Sequence, residues 1–540
     1  MADEFDYIII GAGSAGSVLA NRLSAGDATV CVLEAGPRDL NPMIHIPAGF
    51  MKTLTDKRVN WLFQSEPSEG TAGRRIHAPR GKVLGGSSSI NGHVYNRGPS
   101  TDFNTWAQMG NRGWSYADVL PYFKRSENRV GGDDKNYHGR DGELAVTDID
   151  AHDPVCDAFI DGVANMGIPR NPDYNGATHA GVGYFQRTIK NGRRMSAAVS
   201  FLNPARHRKN LDIRTGAHVE RILFEGRRAV AVRYRRGGKT IDLRARREII
   251  LSGGSVASPQ ILQVSGVGPA NLLTDIGVPV IHDLPAVGKN LSDHYAVRIA
   301  NRIEGLPTIN ERSRGLPLGR EIAKWLLTRK GILSLSPSLA YVFWKSHEGL
   351  DDPDLQFIFT PASYMQGVPS QLETYPGITI ACWTMRPQSR GYVRAKSAQT
   401  QDAPAIQPNY LSHEYDQQVL LAGLRLCRDM MQTPEMAAVF DHETTPGKDL
   451  QSDDEILNYA RNMGTTVFHL MGSCRMGPET DNNSVVDDQL RVHGIEGLRV
   501  VDASVMPTAH STNTNAATIM IAEKAADMIL GNTPLPAATV

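Results

Sequence analysis

Three glycines and one carboxylate are spaced to grip a dinucleotide. In "DYIIIGAGSAGSVLANRLS", Gly11, Gly13 and Gly16 follow the G-x-G-x-x-G pattern. They come directly after Tyr7–Ile10, an apolar run suited to a strand buried on both faces. Val18, Leu19 and Leu23 then recur at helical spacing. Such a turn, with Ser14 and Ala15 inside it, brings bare backbone close to a pyrophosphate and points the positive end of a helix at it. A second strand-like run, "ATVCVLEAG", ends in Glu34 and Ala35. An acid about 20 residues beyond the glycines is the group that takes the ribose hydroxyls of an adenine dinucleotide. These features specify dinucleotide binding and leave NAD and FAD both open.

The other chemical candidate is a histidine near the end of the chain, His469 in "TTVFHLMGSCRMG". An imidazole titrates near neutral pH and can act as a general base. The same apolar, small-residue surroundings equally suit a hydrogen-bonded core histidine, and the local sequence does not choose between them.

The elements that would position these residues can be traced outward. "RGKVLGGSSSINGHVYNRG", Arg80 to Gly98, is too rich in Gly, Ser and Asn for a strand or helix interior. It offers clustered N–H groups and hydroxyls to a phosphate or a planar ring. "REIILSGGSVASPQILQVSGVG" repeats the strand, glycine turn and helix order, with Ser258-Pro259 as a helix start. Before it, "HVERILFEG", "AVAVRYRR" and "KTIDLRARR" alternate between Gly-rich turns, as in a small β-meander with a solvated basic face. From about Arg302 to Asn458 the glycine loops give way to "DPDLQFIFTPASY" and "GITIACWTMRP", strands of an antiparallel sheet with one covered face. "SHEYDQQVLLAGLRLCRDMMQ" is the helix to cover it. The chain closes with a strand, "GLRVVDAS", a helix, "NTNAATIMIAEKAADMIL", and a loose tail, "TPLPAATV".

Composition narrows the class. The 540 residues can bury a large core, and 57 basic against 57 acidic residues leave no net field to draw nucleic acid or an anionic membrane. Five dispersed cysteines without a CxxC spacing point to free thiols in a reducing compartment and to no metal framework. The acidic "MADEFDY" start is unlike a secretory signal, and no apolar stretch reaches the roughly 18 residues needed to span a bilayer. A cytoplasmic protein without an integral membrane segment is expected.

"GKVLGGSSSIN", "GSVASPQILQVSGVG", "PAVGKNLSDH", "RPQSRGYV", "PNYLS" and "LRVVDASVMP" occur in that order along nearly the whole chain. In these segments the chain resembles the glucose-methanol-choline (GMC) flavin oxidoreductases, of the choline-dehydrogenase-like and aryl- or furfuryl-alcohol-oxidising type. The resemblance implies an α/β protein with a discontinuous Rossmann-type FAD-binding domain, over 1–300 and again over 461–535. Between them, 301–460 would form a substrate domain with an antiparallel sheet covered by helices. It also implies oxidation of a primary alcohol, with oxygen or a quinone-type carrier as acceptor; the alternative is a hydroxynitrile lyase on the same fold.

Carried over residue by residue, the resemblance makes His469 the base and Asn513 its partner at the substrate oxygen. His510, offset from that place, becomes a rim or capping residue, and Asp293-His294 a structural hydrogen-bonding pair. FAD contacts fall on Gly11, Gly13, Ser14, Ala15, Gly16, Glu34 and Ala35. In the Gly-Ser loop they fall on Val83, Gly86, Ser87, Asn91, Gly92, His93 and Val94, and in the meander on Val219. At the last strand and helix they fall on Asp502, Ala503, Thr514 and Asn515. Family members that bind FAD covalently use a histidine just before the loop asparagine. Here Ile90 precedes Asn91, so non-covalent FAD is expected.

Overall fold

Tyr7 to Ile10, each no more than 3% exposed, form the buried end of strand β1 (Glu4–Ile10). In the computed structural model, which describes residues 4–132, 134–149, 152–365 and 371–540, this strand lies inside a seven-stranded sheet. Helix α1 (Ser14–Leu23) and strand β2 (Val30–Glu34) follow. Further along come helices α2 (Tyr116–Ser126) and α3 (Pro154–Asn165), then strands β3 (Gly181–Tyr184), β4 (Leu211–Thr215), β5 (His218–Glu225), β6 (Arg228–Arg236) and β7 (Lys239–Leu251). After helix α4 (Gly254–Val264) come β8 (Tyr295–Ile303), β9 (Ala340–Trp344), β10 (Leu355–Thr360) and β11 (Gly377–Thr384). Helix α5 (Glu414–Met431), strands β12 (Phe440–Thr445), β13 (Thr465–Thr466) and β14 (Leu498–Val500), and helix α6 (Thr514–Leu530) complete the set.

The first sheet runs β4-β2-β1-β7-β6-β5, and β14 also pairs with β7. Its β4, β2, β1, β7 and β14 are mutually parallel, as in a Rossmann-type unit, whereas β5, β6 and β7 form the expected antiparallel meander. The third meander segment and the next parallel strand are one continuous strand. Residues 239–244 of β7 pair with β6, and residues 244–251 pair with β1. Unbroken burial begins only at Ile249, near the end of the parallel half, so the backbone is continuous while the side-chain environment changes late.

The second sheet runs β12-β8-β11-β10-β9-β3, with β13 added to β8. Every pairing in it is antiparallel. Leu355, Phe357 and Phe359 alternate onto one face with Ile378, Ile380 and Cys382, against α3 and α5. Phe159 of α3 stacks on Phe359 with ring centroids 4.2 Å apart, and burying each ring contributes about 1.5–3 kcal/mol. This sheet does not keep to 301–460, since β3 and most of β8 precede residue 301.

Helix α6 is buried along most of its length and meets α1 and α2. Its Glu523 is held by Arg22 and Arg125, each at 2.7 Å, so a buried charge is paired rather than orphaned. The tail is not loose. Leu535 donates its N–H to the Tyr122 hydroxyl and Ala538 donates to the Ala117 carbonyl, which docks the tail on α2. Among the described residues no helix is long and apolar enough to cross a membrane. All five cysteines are buried, and among the described residues no disulfide joins them.

Candidate active site

The loop between β1 and α1 turns on Gly11, at φ +99°, where an added Cβ would lie 2.5 Å from the Ser252 carbonyl oxygen at the end of β7. Gly85 donates its N–H to Ala12, so the Gly-Ser loop is tied to the same turn, and an added Cβ on Gly86 would reach to 2.7 Å from the Cα of Gly13. No side chain but glycine leaves this seam open to bare backbone. Glu34 accepts the N–H groups of Ala12 and Gly36 at 2.9 and 2.8 Å, and burial pushes its carboxyl up to about 7. Each of its oxygens keeps a second lone pair for a hydroxyl donor.

The N-termini of α1 and α6 meet here as well, with the Ser14 hydroxyl donating to Asn515 Oδ1 at 2.7 Å. Asp502 is fully turned toward its own fold: it accepts from Gly254 N–H, the Ser258 hydroxyl and Ser504 N–H. Gly13, Ser14, Ala35, Ser87, Asn91, Gly92, Val94, Ala503, Thr514 and Asn515 remain half-buried in otherwise buried chain. Ser252 Oγ, His93 Nδ1 and Asn513 Oδ1 are buried without a partner among the described residues. Bare backbone, two helix N-termini and unpaired polar atoms along one seam fit an adenine dinucleotide.

The segment carrying His469 is held under strain. Phe468 has φ +71°, a left-handed conformation costly for a bulky residue. Asp293 holds the segment there. One of its oxygens accepts the His469 N–H at 2.8 Å, and the other accepts the hydroxyls of Thr466 and Tyr410, each at 2.5 Å. Arg80 adds a bond to the Phe468 carbonyl at 2.7 Å.

The ring of His469 lies in a chain of hydrogen bonds whose tautomers follow from its end. His294 Nε2 is 2.8 Å from the Met385 carbonyl, which can only accept, so that nitrogen carries the hydrogen. His294 Nδ1 is then a lone pair, and it stands 2.8 Å from His469 Nδ1, which must donate. The lone pair of His469 is therefore on Nε2, where it accepts from Asn513 Nδ2 at 3.0 Å. Burial holds the His469 pKa well below the usual histidine value, with the positive charge of Arg80 among the further causes, and burial takes His294 down to about 4. Both rings are neutral near pH 7.

Residues 5–296 and 387–522 match the two family models described as GMC oxidoreductase. The chain belongs to the GMC oxidoreductase family. Among its relatives, an alcohol dehydrogenase [acceptor] of Pseudomonas putida is 43% identical over 97% of this chain and 96% of its own. The mitochondrial choline dehydrogenase of Homo sapiens is 41% identical over 99% and 91%. The solved structure of pyridoxine 4-oxidase from Mesorbium loti superposes with a TM-score of 0.88 at 30% identity, covering 98% of this chain and all of that one.

In this GMC oxidoreductase the two residues expected to do chemistry, His469 and Asn513, are in contact, and Asn513 is the residue preceding α6. Ile90 points into an apolar cluster with Ile44, Val59 and Val83. Asn91 is engaged by Arg194 at 2.6 Å, and the His93 ring is turned onto the Pro47 carbonyl at 3.1 Å. Val219, on β5, gives its carbonyl to the Thr400 hydroxyl.

Two expectations need correction. His510 is not on a rim: it is fully buried, with Nδ1 3.0 Å from Asp102 and its ring packed on Phe103 and Trp106. Asp293 and His294 do not pair with each other. Adjacent residues entering a strand point to opposite sides, so Asp293 takes the backbone of His469 and His294 takes its ring. His294 is the residue the sequence reading missed, and that alternation at the start of β8 was the available signal.

Proposed function

We propose that this protein oxidises a primary alcohol to the aldehyde with non-covalently held FAD, and with oxygen or a quinone-type carrier as final acceptor. The observation that carries the reading is the lone pair of His469 Nε2, which the hydrogen-bond chain places beside Asn513 and which accepts only that amide, a contact a substrate hydroxyl would displace to hand over its proton. The Gly11–Gly16 turn and the N-terminus of α1 would hold the pyrophosphate, Glu34 a ribose, and the Gly-Ser loop with the first turn of α6 the ring system. FAD, when bound, accepts the hydride from the carbinol carbon.

The protein's own residues manage the proton. A substrate hydroxyl placed at the pair donates to His469 Nε2 while Asn513 Nδ2 donates to its oxygen. The proton makes an imidazolium, and the Nδ1–H of His469 then gives His294 a charge-assisted hydrogen bond. Because the ring is neutral at working pH, no prior deprotonation is needed. The relatives named alcohol dehydrogenase and choline dehydrogenase support an alcohol as substrate.

The test is anaerobic mixing of the yellow protein with a panel of primary alcohols, followed by air. Bleaching by an alcohol, lost by about 10²–10⁴-fold in His469→Ala, is expected. Fast recolouring in air identifies oxygen as acceptor, and slow recolouring a carrier. Flavin that stays yellow with every alcohol would instead favour a non-redox lyase.

A further inference from the structure

The second sheet has two faces, and only one is accounted for by its helices. On β10 and β11, Leu355, Phe357, Phe359, Ile378, Ile380 and Cys382 go to the helix-covered core. Their alternates face the other way. Gln356 lies directly opposite Trp383 on β11 and opposite Phe343 on β9, so the three side chains share a face. That face looks toward the base, since the Trp383 ring stands edge-on 6.4 Å from the ring of His469 and 6.4 Å from that of His294.

Gln356 is 0% exposed, and neither its Nε2 nor its Oε1 has a hydrogen-bond partner among the described residues. Trp383 is 2% exposed and its Nε1–H is likewise unpaired. Three buried polar atoms on facing positions, in a protein that pairs most others, call for a missing partner. A packing role would be served better by leucine and phenylalanine, which bring no polar atoms to satisfy.

Resting on the reading of His469 as the base of an alcohol oxidation, we propose that Gln356 and Trp383 recognise the far end of the substrate. The group they take is neutral and hydrogen-bonding, a hydroxyl or carboxamide that accepts from Trp383 Nε1 and Gln356 Nε2 and donates to Gln356 Oε1. It lies about one aromatic ring away from the carbinol, given the ring separation above. A quaternary ammonium does not fit these positions. It can neither accept nor donate, so it would leave all three polar atoms unpaired. The substrate class is a compact alcohol with a polar, uncharged substituent rather than choline.

The test compares 3- and 4-hydroxybenzyl alcohol with their methyl counterparts and with choline, reading anaerobic bleaching of the wild-type flavin. Near-equal sizes make the hydroxyl-to-methyl ratio of kcat/KM a measure of hydrogen bonding. A ratio of at least about tenfold is expected in one of the two positions, with choline the poorest substrate. In Gln356→Leu, and separately in Trp383→Phe, that ratio should fall about tenfold. The corresponding aldehydes, titrated against the flavin absorbance, give the same ratio for binding without turnover. Ratios unchanged in both variants, or choline as the preferred substrate, would overturn the proposal while leaving the base intact. Failure of every alcohol to bleach, with aldehyde binding still dependent on Gln356, would instead remove the proposed oxidation and leave the recognition site.

Discussion

Replacing His294 by phenylalanine keeps a ring in the same space and removes both nitrogens. Two buried groups then lose their partners, the Met385 carbonyl and the Nδ1–H of His469, at about 1–3 kcal/mol each, so a lower melting temperature is expected. The kinetic effect is separate and can be sized. In the resting site the 2.8 Å bond joins two neutral rings, but as the substrate proton arrives it is donated by an imidazolium. A hydrogen bond to a charged group contributes about 1.5–3 kcal/mol, against about 0.5–1.5 kcal/mol for the neutral bond already present in the resting site. At 1.36 kcal/mol per tenfold, the difference of about 1–1.5 kcal/mol slows flavin reduction by about 5- to 13-fold. His294 acts through His469 and does not meet the substrate, so KM should hardly move.

Glutamine distinguishes this role from simple packing. Its amide can donate to Met385 and accept from His469 at once, as neutral His294 does, so His294→Gln should recover part of the rate that His294→Phe loses. The assay is anaerobic stopped-flow bleaching at saturating alcohol, on protein of matched FAD content. A phenylalanine variant within about threefold of wild type, or one equal to the glutamine variant, would refute the tautomer chain.

The depressed pKa of His469 moves the acid limb of the reaction. The base form persists until pH falls through the lowered pKa, so flavin reduction should be flat from pH 8 to 6 and lost only below the ordinary histidine value of about 6.5; a limb centred at or above 6.5 would contradict it. Acid precipitation should leave a colourless pellet and put all the flavin in the supernatant, because Ile90 lies in an apolar cluster and offers no nucleophile. Gly11→Ala forces a Cβ against the Ser252 carbonyl at φ +99°, and the purified variant should be largely free of flavin by absorbance.

What was legible in the sequence was what depends on local backbone demands. The Gly11–Gly16 turn could be read because close approach excludes a Cβ at fixed spacings, and the alternation in β10 and β11 could be read because one face is greasy. The unity of β7 could not, since the strand stays half-wet from the meander into its parallel pairing, is continuously buried only at Ile249–Leu251, and nothing local marks the passage. The docked tail was misread for a similar reason, being held by two backbone N–H groups that leave no side-chain pattern. His469 could be weighed only with the whole-chain resemblance, because its own neighbours are equally those of a core histidine. The alternation entering β8 sets Asp293 and His294 on opposite sides, but the contact of His294 with His469, like the pairing of Gln356 with Trp383, needed the register between distant segments.

That register also explains why His469 sits where it does. At one end its segment is β13, paired with β8 through Tyr295–Thr466 and Ala296–Thr465. At the other end Gly472, Cys474 and Met476 donate to the carbonyls of Ala503, Ser504 and Val505, just beyond β14. The strap carrying His469 is thus stitched to the antiparallel sheet before the ring and to the parallel sheet's edge after it. Its two ring partners divide the same way, His294 from the start of β8 and Asn513 from the N-terminus of α6. Gripped from both sides, His469 is held in register with the glycine-rich seam and with the Trp383 face of the second sheet together, as a base shared between cofactor and substrate would need to be. Neither half of the molecule presents it without the other, which is why a discontinuous chain that leaves one sheet and returns to it suits this chemistry.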